Sequence, residues 1–139
     1  MLLLDTDVVT LLHADNQAVI RKLEKIIGED VAIAIITRVE ILRGRFDRLL
    51  KASTDEQFLQ AQGLLQTSEA KLNKLLTLYL DQTALENFWL LQDRKGVKKI
   101  GRADLLIASI ALAQGATLVT RNLKHFKLIP QLKCENWVD

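Results

Sequence analysis

Short apolar runs at residues 2–4, 31–36, 77–80 and 117–120 each lead into a stretch whose apolar residues recur at helical spacing. Runs this short and this rich in Leu, Val and Ile suit strands buried on both faces. Strands separated by helices are the pattern of parallel crossovers. The sequence therefore predicts a three-layer α/β domain, a parallel sheet of four to five strands flanked by helices on both faces. A last run at residues 133–138 is expected to add the fifth strand at an edge.

The punctuation between runs is specific. Asp5-Thr6-Asp7 turns the first strand into a helix carrying Val8, Val9, Leu11 and Leu12. Residues 16–27 place Val19, Ile20, Leu23, Ile26 and Ile27 on one helical face, with Gly28 as the expected stop. Thr37-Arg38-Val39-Glu40 fits a capping box, so a helix is expected from near Thr37, broken around Gly44 on its way to Leu49 and Leu50. Thr54-Asp55-Glu56-Gln57 starts another, to about Leu75. Asp81 caps a helix bearing Leu85, Phe88 and Trp89. After a loop at 96–101, residues 102–114 are apolar on almost every side, which predicts a central buried helix ended by Gly115.

At 139 residues, 49% of them hydrophobic, the chain suits one core, and we read residues 1–139 as a single domain. The lone cysteine, Cys134, excludes an intramolecular disulfide and a Cys-rich zinc cage. No apolar stretch approaches the roughly 18 residues of a membrane span, and residues 2–4 lack the flank of a signal peptide, so a soluble, cytoplasmic protein is expected. A net charge of +2 says little about partners. Its distribution says more: Arg94, Lys95, Lys98, Lys99 and Arg102 crowd the approach to Asp104, and Arg121, Lys124 and Lys127 follow the fourth strand.

Ligands of parallel sheets bind beyond the carboxyl ends of the strands. Asp5 ends the first strand and Glu40 lies early in the helix after the second. The helix bearing Asp104 runs directly into the fourth strand, so its start returns to the same rim, where Asn122 also arrives. Singly, each carboxylate suits a helix start. Together they repel, since unit charges about 4 Å apart cost roughly 4 kcal/mol at a dielectric near 20. A divalent cation removes that cost, and oxygen ligands without histidine or thiolate favour Mg²⁺ or Mn²⁺ over Zn²⁺. His13 and His125 have no ligand-spaced partner, and Asp81 reads as a cap. There is no Gly-rich phosphate loop and no G-x-S-x-G turn.

In order, LLLDTDVV, TRVEILRG, GRADLLIASIALAQG and LVTRNLKHFKLIPQLKCENW resemble the corresponding segments of PIN-domain nucleases, in particular the VapC-type toxins of bacterial toxin-antitoxin pairs, from end to end of the chain. The resemblance implies a PIN-like fold and a Mg²⁺-dependent endoribonuclease, Mn²⁺ being the alternative metal. Asp5, Glu40 and Asp104 correspond to the catalytic, metal-holding acids. Thr6, Asp7, Thr120 and Asn122 are expected to orient water or phosphate, and Arg38, Lys98, Lys99, Arg102, Arg121 and Lys124 to follow the RNA backbone. The resemblance also implies a homodimer and a cognate antitoxin, gripped along residues 45–75 where Phe46, Leu49, Leu50 and Phe58 stand. Asn122 and His125-Phe126 depart from the acidic residues common there, which favours one-metal chemistry or a second metal recruited with RNA. The alternatives are a housekeeping PIN nuclease of RNA maturation, a catalytically decayed RNA- or protein-binding module, and a haloacid-dehalogenase-like phosphatase using Asp5 as nucleophile.

Overall fold

Alternate residues of the first strand enter different halves of the core, as a two-residue period requires: Leu3 packs in one, Leu2 and Leu4 in the other. The computed structural model describes residues 1–139. The chain runs β1 (Leu2–Leu4), α1 (Thr6–His13), α2 (Gln17–Glu24), β2 (Val31–Ala34), α3 (Ile35–Leu50), α4 (Asp55–Leu72), β3 (Leu76–Leu78), α5 (Gln82–Gln92), α6 (Arg102–Gln114), β4 (Thr117–Val119), α7 (Leu123–Phe126) and β5 (Lys133–Glu135). All pairings are parallel. The sheet order is β3-β2-β1-β4-β5, with the expected fifth strand at an edge.

One half of the core sets Leu3, Ala32 and Leu118 of the sheet against Phe88 of α5 and Leu105, Ile107 and Ala108 of α6. The other sets Leu4, Ile33 and Val119 against Val8, Val9, Val19, Leu72 and Trp137. Helices thus cover both faces, which explains why α6, wedged between the sheet and α5, is apolar nearly all round. Gly115 ends it at φ 61°, a left-handed position that favours glycine. No helix is long and apolar enough to cross a membrane.

Several boundaries differ from the sequence reading. α2 stops at Glu24 rather than at Gly28, and Ile27 is 92% exposed: helical spacing continues where there is nothing left to pack against. β2 ends at Ala34, and α3 begins at once, with no side-chain cap. Thr37 is therefore inside the helix, fully buried, and its capping-box role is lost. α3 passes through Gly44 without a break. α4 does start at the Thr54 cap, whose hydroxyl accepts from the Gln57 amide at 3.1 Å, but ends at Leu72. β5 ends at Glu135, because Trp137 turns into the core while its indole N–H donates to the Glu135 carboxylate at 3.0 Å.

Candidate active site

In this strand order the connections from the sheet's middle lead to opposite sides, so a crevice opens beyond the carboxyl ends of β1 and β4. Asp5 is the residue after β1, and Thr120-Arg121-Asn122 follow β4. The Asp5 amide donates to the Val119 carbonyl at 3.0 Å, which ties the two strand ends together.

Asp5 is buried and caps α1, its carboxylate accepting the Val8 N–H at 2.9 Å. The buried Thr120 hydroxyl donates to it as well. A carboxylate placed only to cap a helix has its pKa lowered by such bonds. That of Asp5 is instead pushed up to about 6, first by burial, with repulsion from Asp7 and Asp104 added. Asp104, half-buried in the first turn of α6, is also held above the ordinary carboxylate range, by burial and then by Glu40 and Asp7, while the His125 imidazole opposes the rise. Glu40 lies in the second turn of α3, exposed, and accepts the Thr6 hydroxyl proton at 2.8 Å; that hydroxyl sits 3.1 Å from the hydroxyl of Thr37. Like-charge coupling thus links residues from α1, α3 and α6 across one rim.

The rim is open rather than a closed cage. No three His, Cys, Asp or Glu side chains stand close enough together to hold a metal ion between them. A hard cation such as Mg²⁺ keeps several waters and takes one or two carboxylates together with substrate phosphate, so it would need no more than two of these side chains. Asp5 and Asp104, raised in pKa by burial and by the like charges around them, are the donors such an ion would relieve. The donor set fits a hydrated hard cation.

Asn122 is committed elsewhere: its amide Nδ2 donates to Nδ1 of His125 at 2.8 Å, and its backbone N–H to the Thr120 hydroxyl at 3.0 Å. His125, which the sequence reading set aside for want of a partner, is therefore part of this rim. The signal was present in its position three residues after Asn122, on the short α7 that follows β4. Asp81 is a cap only, accepting the Ala84 N–H at 2.8 Å.

The expected basic residues are mixed in character. Arg38 donates to Asn73 at 2.6 Å, Arg121 pairs with Asp139 at 3.1 Å, and the Arg102 guanidinium lies 5.1 Å from the Phe88 ring centre. Lys98 and Arg102 line a hollow of about 220 Å³. Lys99 and Lys124 are exposed. On the other flank, a cavity of about 490 Å³ between α1 and α3 begins at Thr6 and Glu40.

The PIN domain family matches residues 2–131. Ribonuclease VapC2 of Rickettsia felis is 66% identical over 38 residues, a stretch that spans 27% of this chain and 28% of that protein. Ribonuclease VapC1 of Haemophilus influenzae (strain R2866) is 27% identical across 97% of this chain and 96% of its own length. Among solved structures, VapBC2 from Rickettsia felis, bound to a DNA fragment from their promoter, superposes with a TM-score of 0.77 at 30% identity, covering 98% of both chains. With a match that extends over nearly its whole length, and a parallel sheet like that of its structural relatives, this chain belongs to the PIN domain family.

Proposed function

We propose that the chain is a Mg²⁺- or Mn²⁺-dependent endoribonuclease, the toxin of a VapBC-type toxin-antitoxin pair. The observation that carries this reading is the convergence of Asp5, Asp7, Glu40 and Asp104, carboxylates from distant segments, at one rim, where burial and neighbouring like charge raise both Asp5 and Asp104 above the ordinary carboxylate range. The names and complexes of the relatives supply the substrate class and the partner.

An ion bound there supplies charge neutralisation at the phosphodiester and acidification of water. Asp5 and Asp104 would hold it. Thr120 and the Val8 amide keep the Asp5 carboxylate in one orientation. Glu40, hydrogen-bonded by Thr6 and open to solvent, would accept a proton from water approaching the phosphorus. His125, oriented by Asn122, offers an N–H to the rim beside Asp104.

An antitoxin has a matching surface. Val39, Leu42, Phe46 and Leu65 line an apolar hollow of about 430 Å³ on α3 and α4, with Arg43 and Glu69 at its border. Val39 and Phe46 are about half exposed. A groove of this kind accepts the apolar face of a helix.

The purified chain should cut single-stranded RNA in the presence of Mg²⁺ or Mn²⁺ and stop when a chelator is added. A DNA strand of the same sequence should survive. Cleavage that is indifferent to the chelator, or no cleavage of any RNA offered with either ion, would refute this reading.

A further inference from the structure

We propose that the groove between α1 and α3, continued past the end of α3 onto α4, carries the phosphate backbone of the RNA away from the carboxylates, with Arg45, Arg48 and Lys51 as its cations. This rests on the ribonuclease reading and adds to it a defined path for the substrate, on the flank opposite the Lys98–Arg102 loop.

Glu40, Gly44 and Arg48 are spaced four apart on α3 and so share one face, with Arg45 beside them. They line the cavity of about 490 Å³ together with Thr6, Thr10 and His13 of α1. A second hollow, of about 290 Å³, begins at the same Arg48 and passes Lys51 to reach Gln57 and Gln60 of α4. Because Arg48 belongs to both, the two form one path. It starts at the Thr6–Glu40 hydrogen bond, on the catalytic rim, and Glu40 is its sole acidic lining residue. From Glu40 to Arg48 the helix advances about 12 Å.

One of the three cations is held in place by the fold. Arg45 Nε donates to the buried Ser68 hydroxyl at 2.9 Å, which fixes the guanidinium and leaves its other N–H groups available. Lys71 donates to the His13 carbonyl at 3.2 Å. The His13 imidazole is held below its ordinary pKa by burial and by Lys71 and Arg45, as expected of a wall with positive potential.

Gly44 is the most informative residue. A glycine inside a helix costs about 1 kcal/mol relative to alanine. Packing does not demand it here, since a Cβ at this position would meet nothing within 4 Å. Its space opens into the groove, and keeping it clear lets a backbone lie close to the helix. Six of the nine residues that line the cavity are polar or charged, whereas the apolar hollow that suits a peptide helix lies on another face of α3, at Val39, Leu42 and Phe46. Cations and small residues in a groove that leads from a hydrolytic rim suit a sugar–phosphate chain.

The test is binding of a fluorescently labelled single-stranded RNA, measured by anisotropy at several salt concentrations without divalent ions. Gly44→Glu puts a carboxylate four residues before Arg48, where the two pair. It should weaken binding about tenfold, while Gly44→Ala, which adds only a methyl group to the groove, should weaken it less, and both melt no lower than the parent. Arg48→Gln with Lys51→Gln should lower the slope of log affinity against log salt by about 1.4, two single-strand phosphate contacts. Cleavage of a substrate too short to leave the rim should be unchanged in the Arg48→Gln, Lys51→Gln double variant. Parent affinity and salt slope in Gly44→Glu and in the double variant would overturn the path, as would their losing affinity for polyglutamate but not for RNA. If the parent cuts no RNA yet binds it through these residues, the path stands and the hydrolytic reading fails.

Discussion

Asp104→Asn is expected to reduce RNA cleavage by roughly 10²–10⁴-fold, the range associated with loss of a positioned acid-base group, and to leave the melting temperature no lower than in the parent. The two effects separate because the carboxylate is electrostatically unfavourable where it stands. Burial and the nearby Glu40 and Asp7 all oppose its ionisation, and only His125 favours it. Asparagine keeps the shape and sheds the repulsion. A group that costs stability and is needed for activity is the expected signature of a functional site. Cleavage assays paired with thermal melts measure both at once. If activity were retained, Asp104 would be reduced to a first-turn helix residue whose charge merely suits the dipole.

Asp5→Asn is expected to be inactive and, at neutral pH, more stable than the parent by up to roughly 3 kcal/mol. Asparagine caps a helix as well as aspartate does, so the Val8 bond survives. The gain comes from ionisation. Asp5 titrates near about 6 in the folded chain and near about 3.9 when unfolded, a difference of roughly 3 kcal/mol. Between those values the folded chain keeps a proton that the unfolded chain has lost, so the parent loses stability as pH rises from about 4 to about 6. The advantage of asparagine should therefore be full above about pH 6, shrink through this window and vanish below about pH 4. Melts of the two proteins across that range give the comparison directly. A constant difference at all pH values would place the Asp5 carboxylate in ordinary contact with water.

The parallel sheet was legible because β1 to β4 are short, largely apolar runs and several boundaries between elements carry a residue with a physical reason to be there: Asp5 after β1, Asp81 ahead of α5, Gly115 ahead of β4. Asp5 and Asp104 could be placed at the same rim from connection logic alone, since α6 must return to the start of β4. What sequence did not reveal was set by packing partners. Ile26 and Ile27 keep the helical period, yet only a surface to cover would have kept the helix going, and Ile27 has none. Thr37 looks like a cap until the abrupt start of α3 at Ile35 puts it inside the helix, beside Thr6. Gly44 looks like a break, but is a gap in a helix wall. Arg45, Arg48 and Lys51 went unremarked among other basic residues because their common property is the hollow they line, which no linear pattern encodes.

Everything proposed about chemistry depends on Asp5 and Asp104 sharing a hard cation, and a thermal melt tests this without RNA. With Mg²⁺ titrated at near-neutral pH against Na⁺ of equal ionic strength, the parent should gain stability that saturates, about 2.7 kcal/mol at a hundredfold excess over Kd. The Asp5→Asn, Asp104→Asn double variant should gain none. No gain in the parent beyond the Na⁺ control, or an equal gain in the double variant, would contradict the metal site.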